Sequence, residues 1–261
     1  MFSSPEPPRH LAHPPPEVPT LSWWSGHYDA VWIALNPFFR VPGASPLTEP
    51  YGPHFAEASD AEDLLALLSE PSPNPAADGF EDRIKTTGQP LSWTSIHAVH
   101  GGPLEAFLRA VWLSVVHADR PERDGSVDDL LAALAEEGVY PPEQDTMPAV
   151  MEPLIARFLT ALDIAEVTVW NDWRDESALV PRAAFQPDQP ALTLPGESIS
   201  ALSAPGLLIS WSFDDVYAHL ALSRELADRV DPSAFFEVVT VEPHMYSDWL
   251  NPHDFVERVQ P

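Results

Sequence analysis

Proline sets the outline of this chain. Its ring fixes φ and removes a backbone donor, so it belongs at turns, helix starts and sheet edges rather than inside regular elements. There are 31 prolines in 261 residues. Pro5, Pro7, Pro8, Pro14, Pro15, Pro16 and Pro19 crowd the start. Residues 1–20 are therefore expected to form a disordered, proline-rich arm, with order beginning near Leu21. Pro71, Pro73 and Pro75 close a second stretch, and Pro181, Pro187, Pro190, Pro195 and Pro205 mark a long loop over 181–206. Folded elements must fit between these points.

Several do. Asp29–Leu35 reads as a buried strand, stopped by Asn36-Pro37. Ser59 and Glu62 make a capping box for a helix at 60–69. Leu91–His97 reads as a short strand. Pro103 opens a helix over 103–117, with Leu104, Phe107, Leu108, Val111, Trp112 and Val115 at helical spacing. Further helices are expected at 127–137, between Ser126 and Gly138, and at 148–162. The second half alternates: strands at 166–170, 206–211 and 235–241, with a helix at 214–229 capped by Ser212 and Asp215. One short strand near Leu192 and a short helix within 247–258 complete the reading. Three successive helices favour an α+β class: one domain over 21–261, with a mixed β-sheet packed by helices.

Charge and cysteine narrow the function. Forty acids face thirteen bases, a formal net charge of -27, and Lys85 is the only lysine. Such a field repels phosphate and anionic lipid, so neither nucleic acid nor membrane is expected as a partner. It suits a basic protein or a metal ion, and it also suits plain solubility. A proteome-wide habit of a high-GC or salt-tolerant bacterium gives the same composition. With no cysteine, disulfides, thiolate zinc sites, Fe–S ligation and cysteine nucleophiles are excluded. No signal peptide opens the sequence and no apolar run approaches the roughly 20 residues of a membrane span, so a cytoplasmic protein is expected.

No phosphate loop, dinucleotide fingerprint, nucleophile elbow or zinc-helix motif occurs. No cofactor is therefore expected, except that a divalent metal is compatible with the acids. His97 and His100 form an H-x-x-H, with His117 following. A helix between His100 and His117 spaces them about 20 Å apart, which argues against a shared site. Three expected strands end in polar clusters. If they run parallel, Asp172, Asp214, Glu242 and His244 converge on one rim able to bind a cation and serve acid–base chemistry. Asp214 and Asp215 are equally what a helix start requires, and Asp172 is an ordinary turn residue. Trp173, Trp211, Phe213, Asp215, Tyr246 and Trp249 mix aromatics with acid, a composition that suits recognition of a basic protein, although such rings also fill cores.

The segments Ala34-Leu-Asn-Pro-Phe-Phe39, Pro90-Leu-Ser-Trp-Thr94 and Ile209-Ser-Trp-Ser-Phe-Asp-Asp215, with Glu242 through Trp249, resemble an uncharacterised bacterial family with a domain of unknown function. The resemblance covers most of the chain after residue 21 and implies no activity. In composition the chain is also similar to bacterial immunity proteins that neutralise basic toxins. Two functions follow as expectations: an immunity-type factor binding a basic partner, or a metal-assisted hydrolase or transferase using the strand-end acids and His244.

Overall fold

The computed structural model describes residues 7–51, 79–117, 125–195 and 198–251. The helix expected at 60–69 lies outside them, as do residues 1–6 and 252–261. Among the described residues, ten strands form two sheets. β1 (Ala30–Leu35), β5 (Glu166–Trp170), β6 (Ser177–Pro181), β7 (Ala201–Ala204), β8 (Leu207–Trp211), β9 (Tyr217–Leu222) and β10 (Val238–Thr240) form a seven-stranded sheet in the order β10-β1-β9-β8-β7-β5-β6. β2 (Phe38–Arg40), β3 (Gln89–Leu91) and β4 (Val139–Tyr140) form a second, with β2 central. Every pairing is antiparallel. The helices are α1 (Thr20–Trp23), α2 (Phe80–Thr87), α3 (Trp93–His100), α4 (Leu104–Val115), α5 (Gly125–Glu136), α6 (Glu152–Ala161) and α7 (Arg224–Ala227). The architecture is α+β. Among the described residues, no helix is long and apolar enough to cross a membrane.

Both faces of the large sheet are covered. On one, Ile209, Leu220, Leu202 and Val169 meet Ile155, Phe158 and Leu159 of α6. On the other, Val31, Ile33, Tyr217 and Leu208 meet Trp93, Phe107, Val111 and Trp112 of α3 and α4. A strand buried on both faces reads as a continuous apolar run rather than an alternation. That is why Tyr217-Ala-His-Leu-Ala-Leu222 resembles a helix in sequence. The helix expected over 214–229 is instead β9, buried along its whole length, and only Arg224–Ala227 is helical. A six-residue run bounded by the turn at 212–215 and Ser223 is strand length, with Asp214 at φ 61° completing the turn.

The 181–206 loop also hides structure. Pro181 ends β6, an edge strand bonded only to β5, where a missing donor is tolerated. Pro205-Gly206 turns β7 into β8, with Ala204 paired to Leu207 and Gly206 at φ 78°. The short strand expected at Leu91–His97 is mostly α3: the Ser92 side chain accepts from the Ser95 amide, and Glu237 accepts from Trp93 and Thr94. The stop at Asn36-Pro37 has a further role. Asn36 is buried, its carbonyl accepting from Trp93 Nε1, its Oδ1 from Trp211 Nε1, while its Nδ2 donates to the Glu143 carbonyl.

As the prolines dictate, residues 7–19 form neither helix nor strand. They are nevertheless laid against the fold. Leu11 is buried, Trp23 Nε1 donates to the Ala12 carbonyl, and Arg174 Nε donates to the Leu11 carbonyl.

Candidate metal centre

β9 turns Tyr217, His219 and Ala221 toward the face covered by α3 and α4. In register, His219 lies opposite Ile33 of β1 and Ser210 of β8. It is completely buried, and neither ring nitrogen has a hydrogen-bond partner. Rings enclose it: His13 edge-on at 5.0 Å between centroids, Tyr217 at 5.6 Å and Trp24 at 5.7 Å. His13 comes from the N-terminal arm and its Nδ1 is also buried without a partner. Asp215, in the β8–β9 turn, supplies the third group. One ligand atom from each of His13, Asp215 and His219 lies within 4.8 Å of the others.

Burial shifts all three groups toward their neutral forms. Burial, then the Arg174 cation, pushes His13 down to about 4. Burial, then His13, holds His219 well below the usual imidazole range. Burial raises Asp215 well above the usual carboxylate range; a hydrogen bond with Tyr217 opposes this, and Asp145, Asp214 and Asp248 add to it. Buried polar atoms in native folds are nearly always paired, and each orphan costs about 1–3 kcal/mol. A divalent cation removes that cost: neutral imidazole is the ligating form, and the cation favours the Asp215 carboxylate.

The donor set is two nitrogens and one oxygen. It fits Zn²⁺ or Fe²⁺ and is too poor in oxygen for Ca²⁺. Tetrahedral ligands at about 2.1 Å sit about 3.4 Å apart. From a limit of 4.8 Å, closure requires at most about 1.4 Å of movement. Three protein ligands leave a position open.

Arg174 organises the surroundings. It is buried at φ 58° and donates to the carbonyls of Leu11, Asn171, Asp172 and Ser200 and to Ser210 Oγ. It thereby fastens the arm that carries His13 to the ends of β5 and β8. Tyr217 donates to the Ser247 carbonyl at 2.7 Å. Asp145 accepts from the Asp214 amide, and burial raises its carboxyl to about 6, with Asp214 and Asp172 contributing.

The rim expected from the strand ends divides in two. β5 and β8 are separated by β7 alone, so two antiparallel steps leave them running the same way. Asp172 and Asp214 therefore share an edge with Asp145 and Asp215. Three antiparallel steps separate β8 from β10, which runs the opposite way. Glu242 and His244 follow β10 at the other edge of the sheet, so these four residues do not converge. His244, Tyr246 and Trp249 line a groove beside Leu104 and Leu108. Trp211 is buried in the core, whereas Trp173 and Phe213 are 71% and 73% exposed on the Asp172–Asp214 edge. His97 and His100 make separate contacts, Nε2 with the Gly102 carbonyl and with Ser126 Oγ respectively, and share no ligand geometry with His117 among the described residues.

Residues 16–251 match the family model described as "Protein of unknown function (DUF2711)". The chain belongs to that family. All four segments quoted for the family resemblance fall inside the matched span, as do Asp215 and His219; His13 lies three residues before it. No curated protein and no solved structure matches the chain.

Proposed function

We propose that this chain is a metalloprotein in which His13, Asp215 and His219 hold one divalent transition-metal ion, Zn²⁺ or Fe²⁺. An open position is left for water or a substrate oxygen, the arrangement used in metal-assisted hydrolysis and group transfer. One observation carries the reading: His219 is fully buried with both ring nitrogens unpartnered, and one ligand atom of it lies within 4.8 Å of a second imidazole and a carboxylate. The acids at the adjoining edge favour cation entry. Equilibrium dialysis against Zn²⁺ and, without oxygen, Fe²⁺, followed by elemental analysis, tests it. Wild type retains one ion per chain, His219→Ala and Asp215→Asn lose it, and Asp172→Asn retains it. A wild type that keeps no metal, or a His219→Ala variant that keeps as much, overturns the reading.

The exposure of Trp173 and Phe213 beside Asp172 and Asp214 favours a second reading, docking of a basic protein on that edge, as by an immunity-type factor. Titration with an arginine-rich peptide, followed by tryptophan fluorescence, tests it. Binding should weaken at least about tenfold in Trp173→Ala. Unchanged affinity in that variant rules the edge out.

A further inference from the structure

The three groups of the metal centre are not held equally firmly. His219 stands on β9, which pairs with β1 on one side and β8 on the other. Asp215 belongs to the turn that enters β9, and its carbonyl accepts from the Asp145 amide at 3.1 Å. The sheet therefore fixes both. His13 stands on the N-terminal arm, which joins no strand. Among the described residues, the backbone hydrogen bonds of residues 8–18 stay within the arm: the Leu11 and Ala12 amides donate to the Pro8 carbonyl, and the Val18 amide to the Pro15 carbonyl.

Side chains seat the arm instead. Arg9 donates to the carbonyls of Ser22 and Trp23 and lays its guanidinium over the Trp23 ring at 4.9 Å. Tyr28 donates to the His10 carbonyl at 3.0 Å, Trp23 Nε1 to the Ala12 carbonyl at 3.2 Å, and Arg174 Nε to the Leu11 carbonyl at 3.4 Å. Leu11 is the apolar anchor, 4% exposed in the same core cluster as Trp24. The Arg9 and Tyr28 bonds are exposed, so water competes for them. A segment held in this way opens far more readily than a strand paired on both sides. His13 adds an unmet demand to the seat. Its Nδ1 is buried without a hydrogen-bond partner, and it packs edge-on against His219, whose two nitrogens also lack partners. Seating His13 alone forfeits hydrogen bonds to water, whereas seating it on a cation makes it a ligand.

Building on the metal reading of that site, we infer that the arm is a strap latched by the ion. Docking of residues 9–13 and binding of the metal at His13, Asp215 and His219 form one linked equilibrium, each strengthening the other. Loading the ion holds the strap over His219, and withdrawing it releases the strap. Hydrogen exchange on the full chain, read by mass spectrometry over residues 9–18, is the measurement. It is taken on protein dialysed against a chelator and again with one equivalent of Zn²⁺, with zinc content determined on the same samples. Zn²⁺ should slow exchange in the wild-type arm at least about fivefold, leave α2 unchanged, and have no effect on the arm of His13→Ala. Reciprocally, Leu11→Ala, which loosens the seat without touching a ligand, should weaken Zn²⁺ binding at least about fivefold in calorimetry. Wild type that retains zinc while its arm exchanges at the same rate overturns the latch and leaves the metal centre standing. So does equal slowing of the arm and α2, slowing that persists in His13→Ala, or undiminished affinity in Leu11→Ala. A wild type that retains no zinc overturns the latch and the metal centre together.

Discussion

Replacing the chain's only lysine by methionine should destabilise the fold severely and in a pH-dependent way. Lys85 Nζ lies 2.6 Å from Glu152 Oε2, and the two side chains are 0% and 1% exposed. The same ammonium donates to the carbonyls of Ala184 at 2.6 Å and Pro190 at 2.7 Å. It thereby ties α2 to α6 and to the irregular segment before β7. Methionine fills much of the same volume but strands a buried carboxylate, whose remaining donor is the Leu192 amide at 3.0 Å. Breaking a buried pair from one side costs about 3–5 kcal/mol. For a chain of this size each kcal/mol lowers Tm by about 2–4 °C, so Lys85→Met should melt roughly 10 °C lower. Burial already raises the Glu152 acid, and removing Lys85 raises it further. A raised carboxyl contributes stability that is lost as pH rises through its folded value. The defect should therefore shrink between pH 7.5 and pH 5. Urea unfolding followed by tryptophan fluorescence measures it, and Lys85→Met/Glu152→Leu should recover most of the loss. A cost under about 1 kcal/mol, or one equal at both pH values, refutes the reasoning.

Two further outcomes follow from the same physics. Glu143 titrates near 8 in the fold against an ordinary value of 4.5, so wild type should lose stability as pH rises between them; Glu143→Gln should flatten that slope in urea midpoints read at pH 5 and pH 8, and an unchanged slope contradicts the assignment. At Gly206 an added Cβ meets Ser223 Oγ at 2.6 Å on a backbone with φ 78°, so Gly206→Ala should cost at least about 1–2 kcal/mol in the same assay, and a neutral effect contradicts the tight β7–β8 turn.

Where local pattern decides structure, the sequence is readable. β5 falls on the expected residues, and α4 begins immediately after Pro103 and stays within the expected helix. β9 was hidden because burial on both faces erases alternation, the signal by which strands are recognised. β7 was hidden because Ala201-Leu-Ser-Ala204 is short and of weak strand propensity, with prolines on both sides. The site was legible only in fragments. In sequence Asp215 reads as a helix cap and as an acid among aromatics, and His219 falls inside the helix expected over 214–229. Neither assignment places a carboxylate and an imidazole together. His13 carried no local signal at all, since a proline-rich arm gives no reason to expect contact with a strand two hundred residues away. Strand order, a long-range property, likewise decided which acids share an edge. Asp172 and Asp214 do because β7 intervenes, and Glu242 and His244 do not.

The metal centre is tested most directly by adding Co²⁺ to the full-length protein and recording its visible spectrum. Cobalt takes zinc-type ligand sets, and its ligand-field bands report coordination number and donor type. One equivalent should produce the intense bands of a low-coordinate ion, and these should be abolished by competing Zn²⁺ and absent from His219→Ala. A spectrum that remains that of hydrated Co²⁺ contradicts the account, leaving His13, Asp215 and His219 as a closed cluster without a metal.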